Sequence, residues 1–109
     1  MGTIILNEIL QQFKDRMHLG DDEDDNLRRI LFASNEALIK ACGLYDINKD
    51  ETFKELVFER SRYVYNDALE YFTKNFLTEI NSLGIAKALE EINSLGIAKA
   101  LEEIKLDGD

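Results

Sequence analysis

Lys54–Phe76, with the sequence KELVFERSRYVYNDALEYFTKNF, contains neither proline nor glycine, and apolar residues recur in it at helical spacing. At about 100° per residue, one stripe of the predicted helix is apolar, and consists of Phe58, Tyr65, Leu69, Phe72 and Phe76. The opposite stripe is polar, and consists of Glu55, Glu59, Arg62, Asn66, Glu70 and Thr73. The pattern predicts one continuous amphipathic helix of roughly 30–40 Å that forms the backbone of the molecule.

Two further amphipathic helices are predicted upstream of this segment. The first is expected to begin after Thr3 as its N-cap and to end near Met17, because apolar residues recur there at three- and four-residue spacing. The second follows the acidic run 21–25, whose carboxylates are expected to accept the free backbone N–H groups of its first turn. Gly43 is predicted to be the left-handed residue that ends this helix.

The loop after Gly43 has some features of a calcium loop. Asp46, Asn48 and Asp50 place oxygen atoms at its positions 1, 3 and 5. Position 6, however, is Glu51 where the turn needs glycine, and position 12 is Val57 where a bidentate glutamate is required. We therefore expect no calcium site, and predict instead that Asp50 or Thr52 caps the third helix.

No residue pattern in the chain indicates an enzyme. Cys42, the single cysteine, is predicted to be a small buried residue at the end of the second helix, and His18 a surface residue at the end of the first. We found no histidine–carboxylate pair, glycine-rich phosphate loop or metal-ligand cluster in the sequence. No catalytic residue, cofactor or metal is therefore expected.

A tandem duplication follows Phe76. Ile80–Glu91, INSLGIAKALEE, is repeated without change as Ile92–Glu103. A shift of 12 residues turns an α-helix by about 120°, so equivalent residues of the two copies would face different directions in a continuous helix. Because Gly84 and Gly96 weaken a helix by roughly 1 kcal/mol each, each copy is predicted to be a short, marginal helix. One hypothesis is that the second copy is a tolerated tail, and the other is that it extends the reach of the chain to a partner.

The composition is typical of one globular domain. The chain has 109 residues, of which 45% are hydrophobic and 32% charged, with a net charge of −9. Direct DNA binding is not expected, because basic residues neither cluster nor alternate with the aromatic ones. No apolar run approaches the roughly 20 residues of a membrane span, and we expect a protein that stays in the cytoplasm.

Together these patterns predict an all-α fold. It is a small bundle of three main helices, residues 1–79, followed by a C-terminal helical arm, residues 80–109, that contains the two repeats. The predicted core comprises Ile9, Leu10, Phe13, Leu27, Ile30, Leu31, Leu38, Val57, Phe58, Val64, Tyr65, Ala68, Leu69 and Phe72. The aromatic end of the third helix, 71–77, would remain partly uncovered unless the arm folds back over it, which favours a partner surface there.

Two segments resemble a known family. Two pieces resemble the small head–tail connector (adaptor) proteins of tailed bacteriophages: the run Arg60–Phe72, RSRYVYNDALEYF, closed by Asn75-Phe76, and the acidic turn 18–27. The resemblance covers roughly residues 4–80, in the same order and spacing. The duplicated tail departs from the family pattern.

The resemblance implies a structural virion protein located in the neck of the particle, assembled in the host cytoplasm. Such proteins form a homo-oligomeric ring, typically a dodecamer, beneath the portal protein. The ring extends the DNA channel, through which DNA passes without specific binding, and docks the next neck (stopper) protein. We expect subunit or portal contacts at eight positions: Arg60, Arg62, Asn66, Asp67, Phe76, Leu77, Ile80 and Leu83.

A second function class stays open at the level of sequence. The net charge of −9 on a small helical body also suits an acidic regulator, or DNA mimic, that binds a host protein. The acidic residues are, however, distributed over caps and polar stripes and do not form a phosphate-like double row.

Overall fold

The computed structural model describes the backbone of residues 5–107 and the side chains of residues 5–96. The chain forms α1 (Asn7–Met17), α2 (Asp24–Cys42), α3 (Glu51–Tyr65), a 3-10 turn (Leu69–Tyr71), the single turn α4 (Phe72–Asn75) and α5 (Leu77–Asp107). The all-α fold predicted from the periodicity is therefore correct. The first helix begins at Asn7, later than predicted, and Thr3 lies outside the described residues.

The acidic run between α1 and α2 does not cap α2 as predicted, although Asp24 and Asp25 lie in its first turn, at the positive end of the helix dipole. α2 begins at Asp24, and no side chain caps its first turn. Asp21 and Asp24 instead bind the buried Lys14 of α1, whose Nζ lies 2.5 Å and 2.9 Å from their Oδ1 atoms. The expectation failed because a buried ammonium needs anionic partners, whereas exposed N–H groups at a helix start can be hydrated.

The core lies where α1, α2 and α3 meet. Its buried apolar residues are Ile9, Leu10, Phe13, Leu27, Leu31, Leu38, Cys42, Ile47, Phe53, Leu56, Val57, Phe58 and Phe72. Ile30, Val64, Tyr65 and Ala68, which were predicted to be core residues, are half-buried. Leu69 is exposed over 39% of its surface, so its assignment to the core was wrong.

The predicted continuous helix over residues 54–76 is interrupted. α3 ends at Tyr65, and Asp67 has φ of 56°, in the left-handed region. The backbone N–H groups of Asp67 and Ala68 donate to the carbonyl oxygens of Val64 and Tyr63, which closes the end of α3. Asparagine and aspartate tolerate the left-handed region better than other residues with a side chain, so Asn66-Asp67 ends the helix where glycine is absent.

The two repeats belong to one continuous helix, and the prediction of two short helices was wrong. α5 passes through Gly84 and Gly96 and across the predicted boundary at residue 80. The alanine, leucine, glutamate and lysine residues of the repeat have high helix propensity, and packing of the first copy on the body offsets the cost of Gly84. No helix among the described residues combines the length and apolar character needed to cross a bilayer.

The arm makes the molecule elongated. The principal extents are 68 × 29 × 20 Å, and the radius of gyration is 18.2 Å. A compact chain of this length would have a radius of gyration of about 13 Å. The arm therefore projects from the bundle, and does not fold back over residues 71–77.

Candidate interaction surfaces

An aromatic cluster joins the end of α3 to the start of α5. Phe72 and Phe76 stack with their ring centroids 5.1 Å apart, and both present a face or edge to Tyr63, each at 5.7 Å. Asn75 Nδ2 donates to the hydroxyl oxygen of Tyr63 at 3.0 Å. Phe72 is buried, whereas Phe76 is half-buried and Leu77 is exposed. The cluster fixes the direction in which α5 leaves the body.

The two arginines of the signature make contacts within the chain. Arg60 Nη1 donates to Ser34 Oγ at 3.0 Å, which ties α3 to α2, and partial burial lowers the pKa of the guanidinium. Arg62 Nε donates to Glu59 Oε2 at 2.9 Å, and its guanidinium lies 5.1 Å from the ring centroid of Tyr63. The hydrogen bond to Glu59 is the largest of the effects that raise the pKa of Arg62.

The remaining polar signature residues lie at the end of α3. Asn66 and Asp67 are exposed, and Asn66 Nδ2 donates to the Arg62 carbonyl oxygen at 2.9 Å. The Tyr65 hydroxyl donates to Glu23 Oε2 at 2.7 Å, so it joins this end of α3 to the start of α2, and the bond raises the pKa of Tyr65. The signature thus builds a joint between the bundle and the arm, and Asn66, Asp67 and Asn75 are exposed positions within it.

The first repeat is seated on the C-terminal end of α2 and the loop that follows it. The Tyr45 hydroxyl donates to the Leu83 carbonyl oxygen at 2.7 Å, and Cys42 Sγ lies 3.7 Å from the Ile80 carbonyl oxygen. Lys87 Nζ lies 4.4 Å from the ring centroid of Tyr45. Ile80 and Leu83, both predicted contact residues, therefore bind the body of their own chain, although each keeps some exposed surface.

Close approach at this seat depends on two glycines. A Cβ on Gly84 would lie 3.5 Å from the Ala41 carbonyl oxygen, and a Cβ on Gly43 would lie 2.6 Å from Lys87 Cγ. Gly43 has φ of 108° and ψ of 180°, a conformation that is almost restricted to glycine. Its predicted positive φ is confirmed.

The second repeat makes none of the equivalent contacts over its described side chains. Ile92 and Leu95, which correspond to Ile80 and Leu83, are exposed over 61% and 64% of their surfaces. A Cβ on Gly96 would meet nothing within 4 Å. The shift of 12 residues accounts for this difference, because it carries the second copy about 18 Å further along α5, beyond the end of α2. Glu91 and Ser94, which lie on the same helix face as Ile80 and Lys87, are exposed as well.

Cys42, His18 and Asp50 were singled out by the sequence for their chemistry. Cys42 is buried as predicted, and this burial raises the pKa of its thiol. His18 is an exposed residue with φ of 58° at the end of α1. Asp50 Oδ1 accepts from Phe53 N at 2.8 Å, so Asp50 is the predicted cap of α3. Within the described part of the chain, no group of three or more His, Cys, Asp or Glu residues is placed to hold a metal ion.

Sequence reasoning missed three residues that position the arm. Tyr45 stacks on Phe53 with ring centroids 5.3 Å apart and holds Leu83, and Lys87 covers its ring. Gly84 admits α5 close to α2. A glycine inside an otherwise strong helical pattern is a signal of close backbone approach, and this signal could have identified Gly84.

Comparison with known proteins gives no assignment. No family model, curated protein or solved structure matches this chain.

Proposed function

We propose that this chain is a structural subunit of a phage head–tail connector, which assembles as a ring beneath the portal and docks the next neck protein. The proposal starts from the resemblance of residues 60–76 and 18–27 to that family. The observation that carries it is the arm, a helix that projects beyond the bundle with large apolar side chains exposed. Exposed apolar surface of this kind is typical of a protein–protein contact.

The location of the signature supports this proposal. Tyr63, Phe72 and Phe76 set the direction of α5, and Arg60 ties the same joint to α2. A residue pattern that holds an arm at a defined angle suits a subunit whose neighbours must meet it in a repeated geometry.

The charge of the chain also supports a channel role. A net charge of −9 favours repulsion of nucleic acid over binding. In a ring, this charge would let DNA pass without sticking to the lumen.

The experiment is native mass spectrometry of the purified chain over a concentration series, alone and with portal protein. We expect a closed species, because a heterologous contact that closes by rotation forms a ring. The resemblance implies about twelve subunits. A chain that stays monomeric at every concentration, both alone and with portal, would overturn the connector proposal and favour the acidic regulator.

A further inference from the structure

A groove with an apolar floor lies between α3 and the start of α5. Leu56, Phe76 and Leu83 line it together with Thr52, and the carboxylates at its rim belong to Glu55, Glu59 and Glu79. Its volume of about 150 Å³ is the size of a cavity that accepts one benzene-sized group. The groove can therefore take one branched aliphatic side chain as an anchor.

The arm presents such anchors in a row. Ile85, Leu89 and Ile92 follow one another at spacings of four and three residues, and are exposed over 60%, 53% and 61% of their surfaces. At about 100° per residue they lie within roughly 60° of one another on the helix. This row, which we call the arm face, has the spacing used by helices that dock into grooves.

The charged residues of this part of the arm lie on its other side. Lys87, Glu90 and Glu91 are each more than about 100° from the centre of the arm face, and Ala86 and Ala88 flank it. Lys87 Nζ pairs with Glu90 at 3.5 Å on that far side. The arm face can therefore enter a groove with a glutamate rim without bringing its own carboxylates against that rim.

The groove and the arm face cannot meet within one molecule. Glu79 and Leu83 of α5 line the groove, so the helix that carries the arm face is itself a wall of the groove. The arm face begins at Ile85 on the same continuous helix and points roughly 130° away from the groove side. Contact between the two surfaces needs a second molecule.

We propose that the arm face of one chain docks into the groove of a second copy of the same chain. Each chain carries one groove and one arm face at different places, so the contact is heterologous and repeats from subunit to subunit. The 20 residues after Lys87 extend about 30 Å, which is enough to cross a neighbouring bundle. The inference rests on the proposed function in one respect, since it names the subunit contact of the ring.

Disulfide trapping tests the contact directly. Thr52→Cys at the groove and Ile92→Cys on the arm face are each made in a Cys42→Ala background, and the two proteins are mixed and oxidised. We expect a 52–92 disulfide dimer in the mixture. The matched control replaces Ile92→Cys by Glu91→Cys, on the far side of the arm, and should give roughly tenfold less product because its effective concentration at the groove is lower.

Three outcomes would overturn the contact. The first is a disulfide dimer from the Ile92→Cys protein by itself in the same yield as from the mixture, since such a dimer joins arm to arm. The second is equal yields from Glu91→Cys and Ile92→Cys. The third is no product in any mixture while circular dichroism shows that every variant is folded.

Native mass spectrometry of the trapped sample separates this proposal from the ring. Linear oligomers joined by the disulfide between residues 52 and 92, without a closed ring, would support the contact and count against the connector. A closed ring without this disulfide would support the connector and overturn the contact. A further variant, Leu89→Glu, should abolish association through the arm face, in open chains and in closed rings alike. The new carboxylate would lie against Glu55, Glu59 and Glu79 at the rim of the groove.

Discussion

Lys87 and Gly43 lie in direct contact, and the contact exists because residue 43 has no side chain. A Cβ there would approach Lys87 Cγ to 2.6 Å. The stem of Lys87 crosses the end of α2 at this point and brings its ammonium over the ring of Tyr45. The contact links the first repeat of the arm to the body of the molecule.

Gly43→Ala should destabilise the protein by about 1–3 kcal/mol, because φ of 108° with ψ of 180° is strained for any residue with a Cβ. Denaturant unfolding measures the loss, and Gly20→Ala, where a Cβ meets nothing within 4 Å, is the control. Lys87→Ala removes the 2.6 Å approach to Cγ and leaves a 3.2 Å approach to Cβ together with the strain, so a double-mutant cycle measures how much of the loss comes from the Lys87 stem. If Gly43→Ala had the same unfolding free energy as the wild-type protein, the close contact between residues 43 and 87 would be contradicted.

The ion pairs of Lys14 should make stability depend on pH at the acid end. The hydrogen bond from Lys14 lowers the pKa of Asp21 below its ordinary value of 3.8. The folded carboxylate therefore contributes stability above that value, and this contribution is lost as the pH falls through the lowered pKa. Asp21→Asn should flatten the acid limb of a plot of unfolding free energy against pH.

Asp22→Asn is the control for this change, because the ion pairs of Lys14 are made with Asp21 and Asp24. If both variants flatten the acid limb to the same extent, the effect comes from net charge and not from the pair.

Asp50→Ala should cost about 1 kcal/mol of unfolding free energy, since Asp50 Oδ1 accepts the N–H of Phe53 at the start of α3. Thr52→Ala is the control, because Thr52 lies inside the first turn and is exposed. If Thr52→Ala lost more unfolding free energy than Asp50→Ala, the assignment of the cap to Asp50 would be wrong. Thermal unfolding followed by circular dichroism is sufficient for the comparison.

Deletion of one repeat should leave the body unchanged. Because the copies are identical, removal of residues 80–91 or of residues 92–103 gives the same protein. Its single copy would occupy the seat on Gly43 and Tyr45, so the unfolding free energy should stay within about 0.5 kcal/mol of the full chain. A greater loss would show that the second copy contacts the body.

The fold was predictable where one local pattern dominates. The apolar periodicity of residues 24–42 and the cap at Asp50 were sufficient to place α2 and the start of α3. Gly43 was also predictable, because a helix commonly ends on a residue with positive φ. Periodicity alone could not show that Asn66-Asp67 ends α3, since the apolar stripe continues through it to Phe76.

The candidate surfaces were only partly predictable. Phe76, Leu77, Ile80 and Leu83 were expected at a contact with another chain, and the structure shows that Ile80 and Leu83 already contact their own body. The groove was not anticipated, because it combines Leu56 of α3 with Leu83 of α5, two residues that only tertiary packing brings together.

The sequence by itself determined the helical class, the duplication and the angle of about 120° between its two copies, because these depend on residue spacing along one helix. The tertiary structure decided which copy is seated. α2 ends beside Gly84, so the first copy packs through Ile80 and Leu83, whereas Ile92 and Leu95 lie further along α5, beyond that end, and are exposed. Local spacing sets the directions of side chains, whereas contacts between distant segments decide which directions are buried.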